Sequence, residues 1–134
     1  YVAVGGAATM NRAPIRTSRV TELSRARIAT TSPEALKPDS LGAFNRLSAA
    51  SATSTYGGDC HNYALLAAGH VDIVLEDGLA THDIMGVVEV IRAAGGIVTD
   101  KTGAAVTMQG TDSLLAASTP ELHAAALALA GKSG

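Results

Sequence analysis

Hydrophobic and polar positions along the chain change period several times, and each change predicts an element. Tyr1, Val2, Ala3 and Val4 run into Gly5-Gly6, the apolar pattern resumes to Met10, and Asn11-Arg12-Ala13-Pro14 interrupts it again before residues 15–17. This reads as short strands around tight reversals. A short helix is expected from Thr17 or Ser18 through Ser24, followed by a strand at residues 27–31, where β-branched residues return. Ser32-Pro33 has the form of an N-cap with proline at the first helical position, and Pro38 is expected to end that helix. Asp39 offers the next start, after which Leu41, Phe44 and Leu47 recur at helical spacing to about Ala52.

From there the pattern becomes regular. Residues 53–56 read as extended, Gly57-Gly58 as a turn, 59–68 as a helix closed by Gly69, and 71–75 as a strand. Asp77-Gly78 turns the chain into a helix over 82–94, closed by Gly95-Gly96, and a strand follows at 97–99. After a turn at 100–103, residues 114–117 form a final strand, and Pro120 opens a last helix over 121–130. Its face of Leu122, Ala125, Ala126 and Leu129 is expected to pack internally. Strands alternate with helices throughout, which predicts α/β layers. No repeat or long linker divides the chain, so residues 1–134 read as one unit.

Composition narrows the class of partner. The chain is 47% hydrophobic but only 3% aromatic, so its core must be built from small aliphatic side chains in close approach. A net charge of −2 with scattered Lys and Arg lacks the basic footprint of a nucleic-acid binder or a polybasic membrane binder. No apolar run is long enough to span a bilayer. A small soluble ligand is the expected partner, and the lone Cys60, which excludes an internal disulfide, makes the cytoplasm the expected compartment. The start at Tyr1, in what reads as mid-strand, leads us to expect that further chain precedes it.

Two places carry candidate chemistry. Tyr56-Gly57-Gly58-Asp59-Cys60 is a strand passing through two glycines into a helix, a junction that can present N–H groups to an anion such as phosphate, or can be no more than a tight turn. Glu76 at a strand end and Asp83 at the next helix start can converge on one crevice and offer hard oxygen ligands to Mg²⁺; alternatively Asp83 only complements its helix dipole and Glu76 is a solvated charge. His61, His70, His82 and His123 lack zinc-ligand spacing, and neighbouring Cys60 and His61 point roughly 100° apart on a helix. Cys60 is therefore expected to be buried and structural, and the histidines to be surface or half-buried. Tyr56, Tyr63 and Phe44 are expected in the core or a pocket wall.

Taken in order, Tyr56-Gly57-Gly58-Asp59-Cys60, Asn62, Leu65, Ala67-Ala68-Gly69, Val71-Asp72, Glu76, His82-Asp83, Ala94-Gly95-Gly96 and Thr99-Asp100 resemble the second half of the inositol monophosphatase family. Gly5-Gly6-Ala7, Asn11-Arg12-Ala13-Pro14-Ile15 and Ala29-Thr30-Thr31-Ser32-Pro33 extend the resemblance over nearly the whole chain, and Asp59 favours the histidinol-phosphate phosphatases within the family. The resemblance implies the carboxy-terminal half of a layered αβαβα sandwich of the sugar-phosphatase type. It also implies Mg²⁺-dependent hydrolysis of a phosphomonoester without a covalent enzyme intermediate, Asp83 as a metal ligand, and Gly57, Gly58, Asp59 and Glu76 as substrate-binding residues. A homo-oligomer and a partnering amino-terminal half are part of the same expectation.

The chain also departs from the family pattern. His82 stands where the family has an aromatic, and Ser54 and Thr55 stand where an Arg often precedes the glycine pair. The family's acidic first signature, which supplies most metal ligands, has no counterpart here, so the chain is expected to be inactive alone. Other sugar, inositol or nucleotide phosphates, and a non-catalytic binding or oligomerisation module, are the competing readings.

Overall fold

The computed structural model of the protein describes residues 1–132. Two sheets organise it. The strands β1 (Val2–Val4), β2 (Ala7–Met10) and β3 (Ala13–Pro14) form a small antiparallel sheet in sequence order. The larger sheet joins β4 (Arg27–Thr30), β5 (Thr53–Tyr56), β6 (Ile73–Asp77), β7 (Ile97–Thr99) and β8 (Ser113–Ala117) in the order β5-β4-β6-β8-β7. Strands β5, β4 and β6 run parallel, while β8 is antiparallel to both β6 and β7.

Period-two alternation sends the small aliphatic side chains to opposite faces of this sheet. Ile28, Ile73, Leu75, Leu115 and Ala117 pack beneath helices α1 (Pro38–Ala50) and α4 (Pro120–Ala130), with Phe44, Leu47 and Leu122. Ala29, Val74, Leu114 and Ala116 face α2 (His61–Ala67) and α3 (Thr81–Ala93), with Tyr63, Leu66 and Ile91. The small sheet contributes Ala8 to this second cluster and packs on α3. The described layers thus run β, α, β, α, within the expected sugar-phosphatase order.

Several local expectations give way to tertiary contacts. Residues 18–24 do not form a helix beyond one 3-10 turn at Leu23–Arg25. The backbone there is drawn out by longer-range bonds: the Ser18 hydroxyl donates to Asp72, and the Val20 carbonyl accepts from the Thr119 hydroxyl at 2.8 Å. Ser32-Pro33 starts only a 3-10 turn, Pro33–Ala35, because the Ser32 hydroxyl donates to Glu34 instead of capping. Pro38 does not end a helix; it is the first residue of α1, where its missing N–H is not needed. The strand expected at 71–75 lies two residues later, which places Glu76 inside it. Cys60 is exposed where burial was expected, His123 is buried against Thr99 Oγ1 at 2.9 Å, and Tyr56 is 59% exposed, its ring flanking Phe44 at 6.0 Å.

One buried carboxylate ties these layers together. Asp72, with no exposed surface, accepts from the Ser18 hydroxyl, from Arg27 N and Nε at 2.8 Å each, and from Arg27 Nη2 at 2.9 Å. Burial alone would raise its pKa, but the hydrogen bonds from Arg27 and Ser18 and the Arg27 charge outweigh it and hold the carboxyl below its ordinary range. Asp72→Ala should lower unfolding free energy at pH 7 by about 3 kcal/mol, since it strands Arg27 N–H groups in a part-buried site. Because the folded pKa is depressed, the Asp72 contribution is complete above about pH 3.9 and is lost as pH falls through the folded value. Urea titrations between neutral and acid pH should therefore show a shallower acid decline in the variant.

Candidate active site

A polar crevice opens where the sheet's connections diverge. After β4 the chain crosses to the α1 face, whereas after the adjacent parallel strand β6 it crosses to the α2/α3 face. In open α/β sheets this divergence at the carboxyl ends of neighbouring strands leaves a cleft for ligands. Here the cleft is a cavity of about 220 Å³. Thr30, Thr31 and Ser32 line it from the end of β4, Glu76, Asp77 and Gly78 from the end of β6, and Asp59, Tyr63 and Asp83 from the neighbouring helices and turns.

The structure brings Asp59, Glu76 and Asp83 together around this cavity. Gly57 and Gly58 shape the adjoining turn and do not line it. Gly57, Gly58 and Asp59 have φ values of +82°, +96° and +50°, a left-handed run that glycine tolerates and that Asp adopts more readily than most residues. The Gly57 N–H is already taken by the Thr31 carbonyl at 2.8 Å, and its carbonyl accepts from Asn62 Nδ2 at 2.8 Å. The turn is thereby tied to both β4 and α2. This arrangement aims Asp59 at the cavity mouth, where it is exposed.

Glu76 has a different environment. Alternation in β6 puts it on the face of Val74, toward α2, and it is only 5% exposed. Thr31 Oγ1 donates to Glu76 Oε1, and among the described residues no Lys, Arg or His forms an ion pair with the carboxylate. The reading of Glu76 as a solvated strand-end charge is therefore corrected. Burial, then the charge of Glu76 and hydrogen bonding toward its carboxylate, with smaller contributions from Asp59 and Asp83, push the Tyr63 hydroxyl well above its usual pKa, so it stays protonated as a donor. Among the described residues that hydroxyl completes no well-formed hydrogen bond.

Asp83 sits in the first turn of α3 and accepts from Ala80 N at 2.9 Å through Oδ2, while exposed His82 lies 3.4 Å from Oδ1. It thus caps its helix and still reaches the cavity. As a half-exposed hard oxygen donor it suits one coordination position of Mg²⁺, an ion that takes one or two carboxylates together with water and phosphate. Among the described residues, no group of three or more His, Cys, Asp or Glu is placed to hold a metal by itself.

The sequence pattern did not single out Thr31 or Asp77 as site residues, while Tyr63, expected in the core or a pocket wall, is buried and lines the cavity. The Asp77 side chain is 1% exposed, accepts Lys37 N–H at 3.0 Å, and lies 3.6 Å from Lys101 Nζ, which also donates to Asp39 and Ser40. Its charge is thus bound into the scaffold. The one available signal was a run of hydroxyl residues, Thr30-Thr31-Ser32, ending an otherwise apolar strand.

With this geometry in view, comparison with known proteins is decisive. The sequence profile of the inositol monophosphatase family matches residues 1–134. The chain belongs to the inositol monophosphatase family. It is 37% identical over 119 residues to the chloroplastic bifunctional phosphatase IMPL2 of Arabidopsis thaliana, covering 88% of this chain and 34% of that protein. It is 27% identical over 100 residues to a histidinol-phosphatase of Chlorobaculum parvum, covering 74% of this chain and 39% of that one. Among solved structures, an inositol monophosphatase from Zymomonas mobilis superposes with a TM-score of 0.91 at 30% identity, over 97% of this chain and 52% of that chain. The chain therefore spans about a third of these curated relatives and half of the structural one.

The glycine turn yields a graded prediction. A Cβ at Gly58 would lie 2.5 Å from Asn62 Oδ1, whereas at Gly57 it meets nothing within 4 Å. Gly58→Ala should cost about 1–3 kcal/mol of stability, combining positive-φ strain with displacement of Asn62, and Gly57→Ala should cost less, at about 1 kcal/mol. Chemical denaturation of the two variants checks the order.

Proposed function

We propose that this chain forms the leaving-group side of a Mg²⁺-dependent phosphomonoesterase, with histidinol phosphate as the substrate. The observation that carries the proposal is the convergence of Asp59, Glu76 and Asp83 on one cavity at the carboxyl ends of β4 and β6. Family membership and the similarity to the Chlorobaculum parvum histidinol-phosphatase support the same reading. The remaining metal ligands would come from an amino-terminal half, as the share of the relatives covered by this chain suggests.

In this reading Asp83 supplies one carboxylate oxygen to the metal from the first turn of α3. The ion, when bound, supplies Lewis-acid polarisation of the phosphoryl group and a water of lowered pKa. The chain's own residues bind and orient the alcohol half of the ester. Glu76 accepts a hydrogen bond from it deep in the cavity, and Asp59 attracts its ammonium at the rim. Gly57 and Gly58 hold Asp59 at that position. Positioning of this kind accounts for much of the rate in phosphoryl transfer, where protein groups form no bond to the substrate.

Inositol phosphates are the second reading, favoured by the likeness to the Zymomonas mobilis inositol monophosphatase. A neutral polyol would gain from Glu76 but not from a carboxylate at the rim. A homo-oligomer and a cytoplasmic location belong to the same proposal. The open outer edge of β1, with Val2 55% and Val4 73% exposed, supports association with further chain or a second copy. Among the described residues no helix is long and apolar enough to cross a membrane.

By itself the 134-residue chain should hydrolyse neither histidinol phosphate nor inositol phosphate at a measurable rate with Mg²⁺. Robust turnover by the isolated chain, abolished in Asp83→Asn, would show that it holds the metals unaided. Joined to its amino-terminal half, the protein should hydrolyse histidinol phosphate with Mg²⁺, and Asp59→Ala should lower kcat/KM for it about tenfold while leaving inositol phosphate nearly unchanged. Equal losses on both substrates would assign Asp59 to the turn alone, and absence of Mg²⁺-dependent hydrolysis would refute the proposed activity.

A further inference from the structure

Glu76 is an unusual place to leave a charge. Among the described residues the carboxylate, 5% exposed, forms no ion pair and takes its side-chain hydrogen bond from Thr31. A buried carboxylate in such surroundings is costly unless donors hold it. Two donors are at hand. Thr31 follows β4 at the position opposite Glu76, since the register Ile28↔Ile73 and Ala29↔Val74 continues to that pair. Tyr63 approaches from α2 and lines the same cavity, where the Glu76 carboxylate bears on its hydroxyl without completing a well-formed hydrogen bond.

The unpartnered polar atoms of the fold cluster in the same place. Among the described residues the buried side-chain atoms lacking a partner are Thr30 Oγ1, Tyr63 OH and Asp77 Oδ1, and all three residues line this cavity. A folded chain keeps such atoms at a cost in stability, and their confinement to one cavity marks where a ligand completes the hydrogen-bonding set. Thr30 faces the α1 side of β4, and Asp77 is already beside Lys101. Tyr63 and Thr31 are the groups that bear on Glu76.

We infer that Thr31 and Tyr63 are positioning residues for Glu76, holding its carboxylate so that it accepts from a hydrogen-bond-donating group of the ligand's alcohol portion. The inference rests on the proposed leaving-group reading and adds the two hydroxyls that make Glu76 selective. Thr31 fixes one carboxylate oxygen, which leaves the other for an ammonium, ring N–H or hydroxyl of the ligand. Tyr63, protonated and unsatisfied in the free chain, gains its partner when the ligand draws the carboxylate into place. Neither residue touches the phosphoryl group, so both act on the alcohol half alone.

The test is an NMR titration of the full 134-residue chain with three probes: histidinol, myo-inositol and inorganic phosphate. Thr31→Val keeps the side-chain shape and removes the hydroxyl, Thr31→Ser restores a hydroxyl, and Tyr63→Phe removes the buried one. Thr31→Val and Tyr63→Phe should each weaken histidinol binding about three- to tenfold, Thr31→Ser should bind within about twofold of wild type, and phosphate binding should not change. Tyr63→Phe should at the same time unfold at an equal or higher urea concentration than wild type, because it deletes an unsatisfied buried hydroxyl. A purely packing role, which the Phe ring preserves, would leave histidinol binding by Tyr63→Phe at the wild-type level and would overturn the assignment of Tyr63. Wild-type binding of histidinol or inositol that neither Thr31→Val nor Tyr63→Phe weakens would overturn this inference and leave the proposed activity standing. Equal weakening of phosphate, or failure of Thr31→Ser to rescue, would also overturn it. A wild-type chain that binds neither alcohol would overturn it together with the assignment of the leaving-group side.

Discussion

The register between β4 and β6 is the constraint on which the rest of the molecule depends. Two side-chain contacts bracket it: Arg27 with Asp72 at the strand entrances and Thr31 with Glu76 at the exits, each pair 45 residues apart in sequence. A slip by one residue would send Glu76 to the opposite face of the sheet and bring Asp72 away from Arg27. Asp72 is fully buried and gathers donors from Ser18 and Arg27, so the register at the entrance is specified by hydrogen bonds that no shifted pairing could satisfy. The chemistry at the exit is held by the same alignment.

This arrangement divides the sheet into a dry middle and a polar rim. In the middle, Ile28, Ile73, Val74, Leu75, Leu114 and Leu115 are essentially inaccessible, and the helices close on both faces through small side chains. At the rim the apolar pattern stops within a residue or two, and Thr31, Glu76 and Asp77 begin. The fold tolerates the buried acids by unequal means. Lys101 and the Lys37 N–H hold Asp77, whereas among the described residues Glu76 is held by the Thr31 hydroxyl without an ion pair and remains available to a ligand.

Family membership and the layered architecture fit that picture, and so does the division of labour it implies. Asp83 reaches the cavity as a single carboxylate, and the described residues assemble no complete metal cluster around it. What the chain does assemble is a cavity wall of graded polarity, with exposed Asp59 at the rim and buried Glu76 at depth. Such a wall is suited to sorting alcohols, a task separable from activating water at a metal.

Much of this was legible in the sequence for a physical reason: local signals are strong where glycine, proline and hydrophobic period agree. The turn Gly57-Gly58, the helix α3 ending at Gly95-Gly96 and the final helix opened by Pro120 are such places, and the resemblance of ordered motifs gave the family and the candidates Asp59, Glu76 and Asp83. The sequence failed where a residue had a distant partner. Ser18 and Val20 exchange helical bonds for contacts to Asp72 and Thr119, and His123 finds Thr99 in the interior. Strand order and the antiparallel β8 depend on pairings between segments far apart in the chain, which no local period encodes. Only the tertiary structure, by setting Thr31 opposite Glu76 and Tyr63 beneath it, decided which hydroxyls surround the buried charge.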